Sequence, residues 1–384
     1  DFEVHFEDAA LEQAVREEID KLNGQLYWSD VKEIDGLGVY DLGVRSLDGI
    51  EHLSGLMCLN LWRNEITDIS LVSALSNLTC LRFSSNNVSD ISPLASLTNL
   101  RDLHFDENEV DDISALGGLA NLDDLRFGDN KVQDISVLEQ LTYLRRLECP
   151  RNEISDISAI ENLIHLESLE IYNNQIVDLS PLRKLTNLWN LNLCCNRIRD
   201  LSVLENLVSL QWLNFSVNEV TDISVLSFLK KLTLLQFTSN EVSDISPLSE
   251  LKLLESLHFD SNEVSDISHL SGLSNLEYLS FSLNEVSDIH PLSGLTEMKT
   301  VDFASNRVSD ISPISYLDAL EWLFFKDNEV TDISSLQGLT NVNWLDFEHN
   351  NVSDISVLSS LSNLETLIFS FNKVTDISSL QGLN

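Results

Sequence analysis

Apolar residues recur along most of the chain in one pattern with a period of 22 residues. Within the unit 254–273, Leu257 and Phe259 alternate with polar residues, as they do in a short strand with one buried side. Four more apolar positions follow at three-residue spacing: Val264, Ile267, Leu270 and Leu273. That spacing favours an extended segment and a tight 3₁₀-like turn over a full α-helix.

One asparagine ends the strand pattern of every unit, and an aspartate follows it four residues later. The asparagines are Asn64, Asn86, Asn108, Asn130, Asn152, Asn174, Asn196, Asn218, Asn240, Asn262, Asn284, Asn306, Asn328, Asn350 and Asn372. The resulting Leu-x-x-Leu-x-Leu-x-x-Asn pattern resembles that of leucine-rich repeats. It predicts an α/β right-handed solenoid with a parallel sheet on its concave face and short turns on its convex face. The asparagine amides are expected to form a ladder that satisfies backbone groups at the bend, and the aspartates to cap the turn.

A second inward position is almost always phenylalanine. These residues are Phe83, Phe105, Phe127, Phe215, Phe237, Phe259, Phe281, Phe303, Phe325, Phe347 and Phe369, with Leu61, Cys149, Ile171 and Leu193 at the remaining equivalent positions. We interpret this row as an aromatic stack within the core.

The two ends of the chain depart from the repeat. Residues 1–33 predict a helical N-terminal cap, with Asp8 as N-cap, a helix through Leu22 and Gly24 ending it. A degenerate coil occupies 34–55, where Leu42 stands in place of the asparagine. Fifteen repeats then fill 56–384. The chain stops within the last repeat without a C-terminal cap, so we expect the natural protein to continue or to have been shortened.

Three segments together resemble the internalin family of bacterial surface proteins. They are the unit Asn-x-Val/Ile-x-Asp-Ile-Ser-x-Leu, the N-terminal run from Phe6 to Arg16 and the phrase from Leu47 to Leu53. The resemblance covers essentially the whole chain and implies an extracellular or cell-surface adhesin that binds a protein partner through its concave face. The immunoglobulin-like region that usually follows internalin repeats is absent from this sequence.

Composition limits the classes of partner. The chain carries 62 acidic against 23 basic residues, a formal net charge of −39. This charge disfavours nucleic acid and anionic membranes and favours a cationic partner surface. The sequence contains no apolar run long enough to span a bilayer, so we predict no direct membrane insertion.

Positions six, four and two before each asparagine are predicted to face the concave side, and their residues vary. One group is charged: Arg82, Asp102, His104, Asp106, Asp124, Arg126, Arg146, Glu148 and Glu170. A second is apolar and lies toward the C-terminus: Trp212, Leu234, Tyr278, Trp322, Phe324, Trp344, Ile368 and Phe371. Because exposed aromatic and arginine side chains dominate many protein interfaces, we predict that the apolar group, with Arg82, His104, Arg126 and Arg146, binds the ligand.

Metal, cofactor and catalytic sites are not predicted. His104 with Asp102 and Asp106, or His258 with Asp260, contains ligand types, but alternate residues of a strand lie about 6.5–7 Å apart and do not converge. Catalysis would need a nucleophile with a base, and no histidine occupies the concave rows near Cys194.

The five cysteines show no disulfide framework, so we do not expect disulfides to hold the fold. Cys58 and Cys80 are close enough in the predicted register for a lateral disulfide, although we predict that both are free thiols. Cys194 and Cys195 are expected to be free.

Two other functions fit this sequence. Repeats of this length also occur in intracellular regulatory scaffolds of the phosphatase-regulator type, although those lack this N-terminal cap; an export signal before Asp1 would exclude that reading. Concave tryptophan and tyrosine side chains can also stack on sugar rings, which leaves glycan binding as the second alternative.

Overall fold

The computed structural model describes residues 1–382 and contains two compact units, Asp1–Leu191 and the segment that begins at Asn192. In both units each repeat forms one coil with a three-residue strand, a turn, an extended segment and a short 3₁₀-helix. The predicted leucine-rich-repeat solenoid with a parallel sheet is confirmed. The predicted absence of a C-terminal cap concerns Leu383 and Asn384, which lie outside the described residues.

Strands of the first unit pair in parallel and in sequence order. They are β1 (Gly36–Gly38), β2 (Cys58–Asn60), β3 (Cys80–Arg82), β4 (Asp102–His104), β5 (Asp124–Arg126), β6 (Arg146–Glu148) and β7 (Ser168–Glu170). Leu59 is opposite Leu81, and every pair keeps this shift of one repeat, so residues at equivalent repeat positions form rows across the sheet. Strand β8 (Asn190–Asn192) spans the boundary between the units.

The second unit repeats this arrangement. Its strands are β9 (Trp212–Asn214), β10 (Leu234–Gln236), β11 (Ser256–His258), β12 (Tyr278–Ser280), β13 (Thr300–Asp302), β14 (Trp322–Phe324), β15 (Trp344–Asp346) and β16 (Thr366–Ile368). Each pairs in parallel with the next, again in register by one repeat.

Short 3₁₀-helices form the opposite side of the coils. In the first unit they are Ile50–His52, Ser70–Ala74, Ser92–Ser96, Ser114–Gly118, Ser136–Gln140, Ser158–Ile160 and Ser180–Lys184. In the second they are Ser202–Asn206, Ser224–Phe228, Ser246–Glu250, Ser268–Leu270, His290–Gly294, Ser312–Tyr316, Ser334–Leu336, Ser356–Ser360 and Ser378–Gly382. The aspartate of each repeat accepts a hydrogen bond at the start of this turn, as Asp266 Oδ1 does from the N–H of Ser268 at 2.8 Å. The predicted capping is therefore observed.

The core contains the predicted aromatic stack. Consecutive phenylalanine rings lie nearly parallel, with centroids 5.5 Å apart between Phe237 and Phe259 and 5.7 Å apart between Phe259 and Phe281. Cys149 occupies the same row as a fully buried thiol. Each phenylalanine of the stack directly follows a strand, as Phe259 follows β11, and the side chain of Phe259 is buried in the core.

The N-terminal helix is shorter than the sequence predicts. Helix α1 covers Ala9–Glu18, and Asp8 caps it by accepting hydrogen bonds from the backbone N–H groups of Ala10 and Leu11. It ends because Asp20 adopts a left-handed conformation (φ 52°), which lets the next N–H bond back to Arg16 in a Schellman-type arrangement. The predicted extension to Leu22 is wrong, and that side chain is exposed. A second helix, α2 (Trp28–Val31), was not predicted.

Candidate functional site

In most strands the first and third side chains are at least partly exposed and the second is buried. Asp124, Ser168 and Asn192 are buried outer residues, and all three residues of β16 are partly exposed. We call this solvent-facing side of the strands the sheet face. In β14, Trp322 is exposed, Leu323 is buried and Phe324 is half-buried. Positions six and four before the asparagine are these outer strand residues. Position two, which was predicted to face the same side, is buried at Gly128, Pro150 and Ser216.

An aromatic patch lies on the sheet face of the second unit, and we define it as Tyr278, Trp322, Phe324 and Trp344. Trp322 and Trp344 are direct partners on neighbouring strands, and their side chains are 45% and 41% exposed. The ring centroids of Phe324 and Trp344 lie 6.1 Å apart with the planes tilted by 58°. Tyr278 is in the same row as Trp322, separated from it by Thr300. Trp322, Phe324 and Trp344 thus form one contiguous surface, and Tyr278 lies two strands away from Trp322.

The remaining predicted apolar residues lie elsewhere in the second unit. Trp212 and Leu234 are direct partners on β9 and β10, in the same row as Tyr278. Ile368 is on β16, paired with Asp346. Phe371 lies in the turn after β16, where it stacks on His349 with centroids 4.2 Å apart. It therefore does not belong to the strand rows of the sheet face.

Carboxylates flank the aromatic patch. Phe324 pairs in register with Asp302 on one side and with Asp346 on the other. Burial raises the pKa of Asp302, and the negative charges of Asp260 and Asp346 act in the same direction, against hydrogen bonds from Ser282 and from its neighbouring backbone. This surface thus combines apolar rings with acidic groups that a positive charge would stabilise.

The predicted charged residues of the first unit form a connected network. We define this charged cluster as Arg82, Asp102, His104, Asp124, Arg126, Arg146 and Glu148. Arg82 forms a two-pronged ion pair with Asp102, with N–O distances of 2.9 and 2.5 Å. Arg126 bridges Asp124 and Glu148 at 3.0 and 3.1 Å. Three guanidinium groups therefore face three carboxylates, and the cluster is close to neutral within a strongly acidic chain.

Asp124 is at the centre of this network. Its carboxylate contacts Arg126 and Arg146, both at 3.0 Å, and His104 Nε2 at 3.3 Å. Burial alone would raise the pKa of Asp124, but the contacts with His104 and Arg126 outweigh burial and hold that pKa well below its usual range. The carboxylate is therefore ionised wherever the protein is folded at ordinary pH.

Two predicted members of the charged group have other partners. Asp106 accepts hydrogen bonds from the backbone of Gly128 at 2.8 Å and from the hydroxyl of Ser84, and burial raises its pKa. Glu170 accepts a hydrogen bond from the amide of Asn190 at 3.2 Å. Both side chains therefore make their hydrogen bonds outside the charged cluster.

Possible metal ligands do converge at one point of the cluster. Asp102, His104 and Asp124 each provide one ligand atom, and these three atoms lie within 4.8 Å of one another. Asp124 was not among the predicted ligands, because it lies on the strand next to that of Asp102 and His104. The arginines already pair with both carboxylates, and their positive charges would oppose a bound cation. His258 hydrogen-bonds Ser256 at 2.9 Å.

The cysteines differ from the expectation at one pair. Cys58 and Cys80 are bonded as a disulfide, with their Cα atoms 4.5 Å apart. The expectation of free thiols was wrong here because the parallel register places these two residues directly side by side. Cys194 and Cys195 are free, as predicted.

One structural feature beside the sheet face was not anticipated. The residue before every repeat asparagine has a positive φ, between 51° and 58°, from Arg63 through Phe371. Residues as different as Val217, Leu283 and His349 occupy this position, so residue type alone gave no signal. The fixed spacing from the asparagine is the signal that would have located it.

Within residues 1–382, no helix has the length and apolar character that crossing a membrane requires.

Comparison with known proteins identifies the repeats and the family. The family model "Leucine Rich repeats (2 copies)" matches residues 55–96, 76–118, 164–206 and 340–382. No curated protein matches the sequence. Two solved structures share the fold at 23% identity. The match to the functional domain of InlJ from Listeria monocytogenes covers 93% of this chain and 77% of that chain, with a TM-score of 0.81. The match to a leucine-rich-repeat protein of Leptospira interrogans covers 93% of this chain and 96% of that chain, with a TM-score of 0.86.

A third structure is more similar in sequence. The internalin InlF from Listeria monocytogenes is 31% identical, over 97% of this chain and 96% of that one, with a TM-score of 0.64. Leucine-rich-repeat proteins of this kind are typically non-enzymatic, and their fold suits the binding of other proteins. The identity with InlF over nearly the full length of both chains places this chain in the internalin-type family of leucine-rich-repeat proteins.

Proposed function

We propose that this chain is the ligand-recognition module of a secreted or cell-surface bacterial protein, and that it binds a protein partner on the sheet face through the aromatic patch. The observation that carries the proposal is the exposed pair Trp322 and Trp344 on adjacent strands. The coil does not require large side chains in this row, because Ser256, Thr300 and Thr366 occupy equivalent positions. The tryptophans therefore serve something outside the coil.

Exposed tryptophan is well suited to this role. A tryptophan buries a large apolar area in an interface and loses few rotamers, so it often dominates the binding energy. Phe324 supports Trp344 from the neighbouring strand, with ring centroids 6.1 Å apart. This contact limits the motion of Trp344 before binding and reduces the entropy lost when the partner binds.

The charges around the patch support a partner with basic side chains. Asp302 and Asp346 lie on either side of Phe324, and the chain as a whole is strongly acidic. Lysine or arginine residues around an apolar protrusion of the partner would pair with these carboxylates. Such pairing accelerates association and excludes acidic competitors more than it adds affinity.

The charged cluster has a secondary role in the proposal. Its arginines are already paired with carboxylates, so its contribution is orientation and selectivity rather than net attraction. Trp212 and Leu234 extend the apolar surface along the same row as Tyr278. The sheet face of the second unit would thus contact a partner along several strands, with the aromatic patch as its anchor.

Affinity capture with matched variants tests the proposal. The wild-type chain and the double variant Trp322→Ala/Trp344→Ala are immobilised and exposed to solubilised cell-surface proteins. A protein retained by the wild type is purified, and its Kd is measured for each single variant. We expect each substitution to cost about 2–4 kcal/mol of binding free energy.

A matched control alters exposed aromatic residues away from the sheet face. Phe228 and Tyr316 lie in 3₁₀-helices and are 57% and 62% exposed. The variant Phe228→Ala/Tyr316→Ala should bind the captured protein like the wild type. Unchanged affinity of the tryptophan variants, with circular dichroism showing that they are folded, would overturn the assignment of the aromatic patch.

A further inference from the structure

Two adjacent cysteines lie at the edge of the sheet face in the second unit. Cys194 is two residues before Asn196 and therefore belongs to an outward-facing row, and Cys195 occupies the turn position with φ 58°. Their sulfur atoms are 2.9 Å apart, and both residues are partly exposed. The two thiols are therefore in mutual contact and within reach of small molecules in solution.

The backbone holds this pair in place. The N–H of Cys194 donates to Asn192 Oδ1 at 3.2 Å, and the N–H of Cys195 donates to the carbonyl of Ser216 at 2.8 Å. Because both residues are fixed, the sulfur atoms do not have to find each other by diffusion. Such fixed geometry strongly accelerates a reaction that joins two groups.

The other cysteines have different environments. Cys58 and Cys80 are bonded to each other, and Cys149 is fully buried in the core row, where burial raises the pKa of its thiol. Reagents in solution therefore meet Cys194 and Cys195 first.

We propose that Cys194 and Cys195 form a vicinal dithiol modification site that reacts with low-molecular-weight disulfides and closes to an internal disulfide. One cysteine sulfur attacks a sulfur of the reagent, which breaks the reagent's S–S bond and releases one reagent thiol. The other cysteine then attacks the mixed disulfide and releases the second reagent thiol. Overall the dithiol is oxidised by two electrons, the reagent disulfide is reduced, and the two cysteine protons leave with the two released thiols.

The two sulfurs are expected to differ in the first step. Burial, together with the hydrogen bond and charge of Cys195, raises the pKa of the Cys194 thiol to about 12. Since the thiolate is the attacking form, Cys194 is a poor initial nucleophile at neutral pH. We therefore assign the first attack to Cys195 and the ring-closing attack to Cys194. The site is independent of the aromatic patch and of the proposed partner.

An aromatic disulfide reagent, 5,5′-dithiobis(2-nitrobenzoic acid), tests the proposal on the folded chain carrying Cys149→Ala. We expect two equivalents of the coloured thiol to be released per chain. Mass spectrometry should show no retained adduct and the loss of two hydrogen atoms. Cys194→Ser and Cys195→Ser should each release one equivalent and keep one adduct.

Other outcomes would overturn the proposal. Two retained adducts would show two independent thiols, and an unreactive chain would show that the site is closed to reagents. Phenylarsine oxide provides a second measurement that needs no substitution at the pair, because it condenses with two neighbouring thiols and releases one water. One bound arsenical per chain that blocks the aromatic disulfide supports the dithiol, and the absence of such binding contradicts it.

Discussion

Asn262 accepts a hydrogen bond from the backbone N–H of Val242, which belongs to the preceding coil, at 3.1 Å. Its amide nitrogen donates to the carbonyl of Phe237 in that coil and to the carbonyl of Phe259 in its own, both at 3.0 Å. A single buried side chain thus provides hydrogen-bond partners for backbone groups of two coils. At this bend neither the sheet nor the turn provides such partners. The same arrangement recurs along both units.

Replacing Asn262 by alanine should lower the free energy of unfolding by about 2–4 kcal/mol, because three buried backbone groups lose their partner. Aspartate should not restore stability, since its carboxylate accepts hydrogen bonds but cannot donate to the two carbonyls. Urea denaturation followed by circular dichroism measures both effects. Asn275 is the control, because its exposed amide makes one bond, to Lys252 at 2.9 Å, and its replacement by alanine should cost about 1 kcal/mol or less. Equal losses at both positions would contradict the ladder argument.

The ladder, the coil and the exposed rows follow from repetition in the sequence. A period of 22 residues fixes which positions align between coils, and the alternation of Leu257 and Phe259 with polar residues fixes which side is buried. These features involve the same residue types in every coil. Sequence reasoning therefore located the outward rows that contain Trp322 and Trp344.

Features that depend on individual neighbours were not predictable in the same way. Asp124 binds His104 from the adjacent strand, and this convergence depends on rotamers that no pattern specifies. The end of helix α1 depends on a left-handed Asp20, although aspartate does not mark that conformation by itself. The repeat register predicted that Cys58 and Cys80 lie side by side, but it did not show whether their thiols are oxidised to a disulfide.

Val217 occupies the left-handed turn position with φ 55°, a conformation that β-branched residues rarely adopt. The side chain is half-exposed, so replacing it removes little packing. Val217→Asn should raise the free energy of unfolding by about 1 kcal/mol, because asparagine tolerates this conformation. The chain already contains asparagine at the equivalent position 173, with φ 56°. The reciprocal change Asn173→Val should destabilise the protein by a similar amount, and a stabilising result there would contradict the explanation.

Asp124 should make the first unit sensitive to acid. Its pKa is lowered in the folded protein by His104 and Arg126 against the effect of burial, so its stabilising contribution is complete above the unfolded value of about 3.9 and is lost as the pH falls below it. Asp124→Ala should cost about 2 kcal/mol at neutral pH, since Arg126, Arg146 and His104 lose their shared carboxylate. Thermal unfolding at several pH values should show the variant and wild type converging below about pH 4.

The adjacent residue provides the control for this prediction. Asp123 is half-exposed and pairs with Arg145 at 3.4 Å, so Asp123→Ala should change stability by about 0.5 kcal/mol or less. If Asp123→Ala were as damaging as Asp124→Ala, the central position of Asp124 in the charged cluster would not be the cause of its effect.

Asp302 should show the opposite pH dependence. Burial and the charges of Asp260 and Asp346 raise its pKa in the folded protein, so ionisation is less favourable there than in the unfolded chain. The resulting destabilisation is absent at pH values below the pKa of Asp302 in the unfolded chain. It is complete at pH values above the pKa of Asp302 in the folded protein. Asp302→Asn should therefore raise the free energy of unfolding by about 0.5 kcal/mol at neutral pH, which thermal melting would detect as a higher melting temperature. The substitution should have no effect on stability below about pH 4. Asparagine can still accept the backbone hydrogen bond from Ala304, now made at 3.0 Å.

The same substitution should weaken recognition while it stabilises the fold. Asp302 is in register with Phe324, and a basic side chain of the partner would be attracted to its carboxylate at the edge of the aromatic patch. We expect Asp302→Asn to reduce the association rate of the protein captured by the wild type by about tenfold at low salt, with a smaller difference at high salt. Asp266→Asn is the control, because Asp266 caps a turn away from the sheet face. Stopped-flow or surface-plasmon measurements that show equal association rates for both variants would exclude a basic rim on the partner, whereas the tryptophan substitutions would still test the apolar anchor separately.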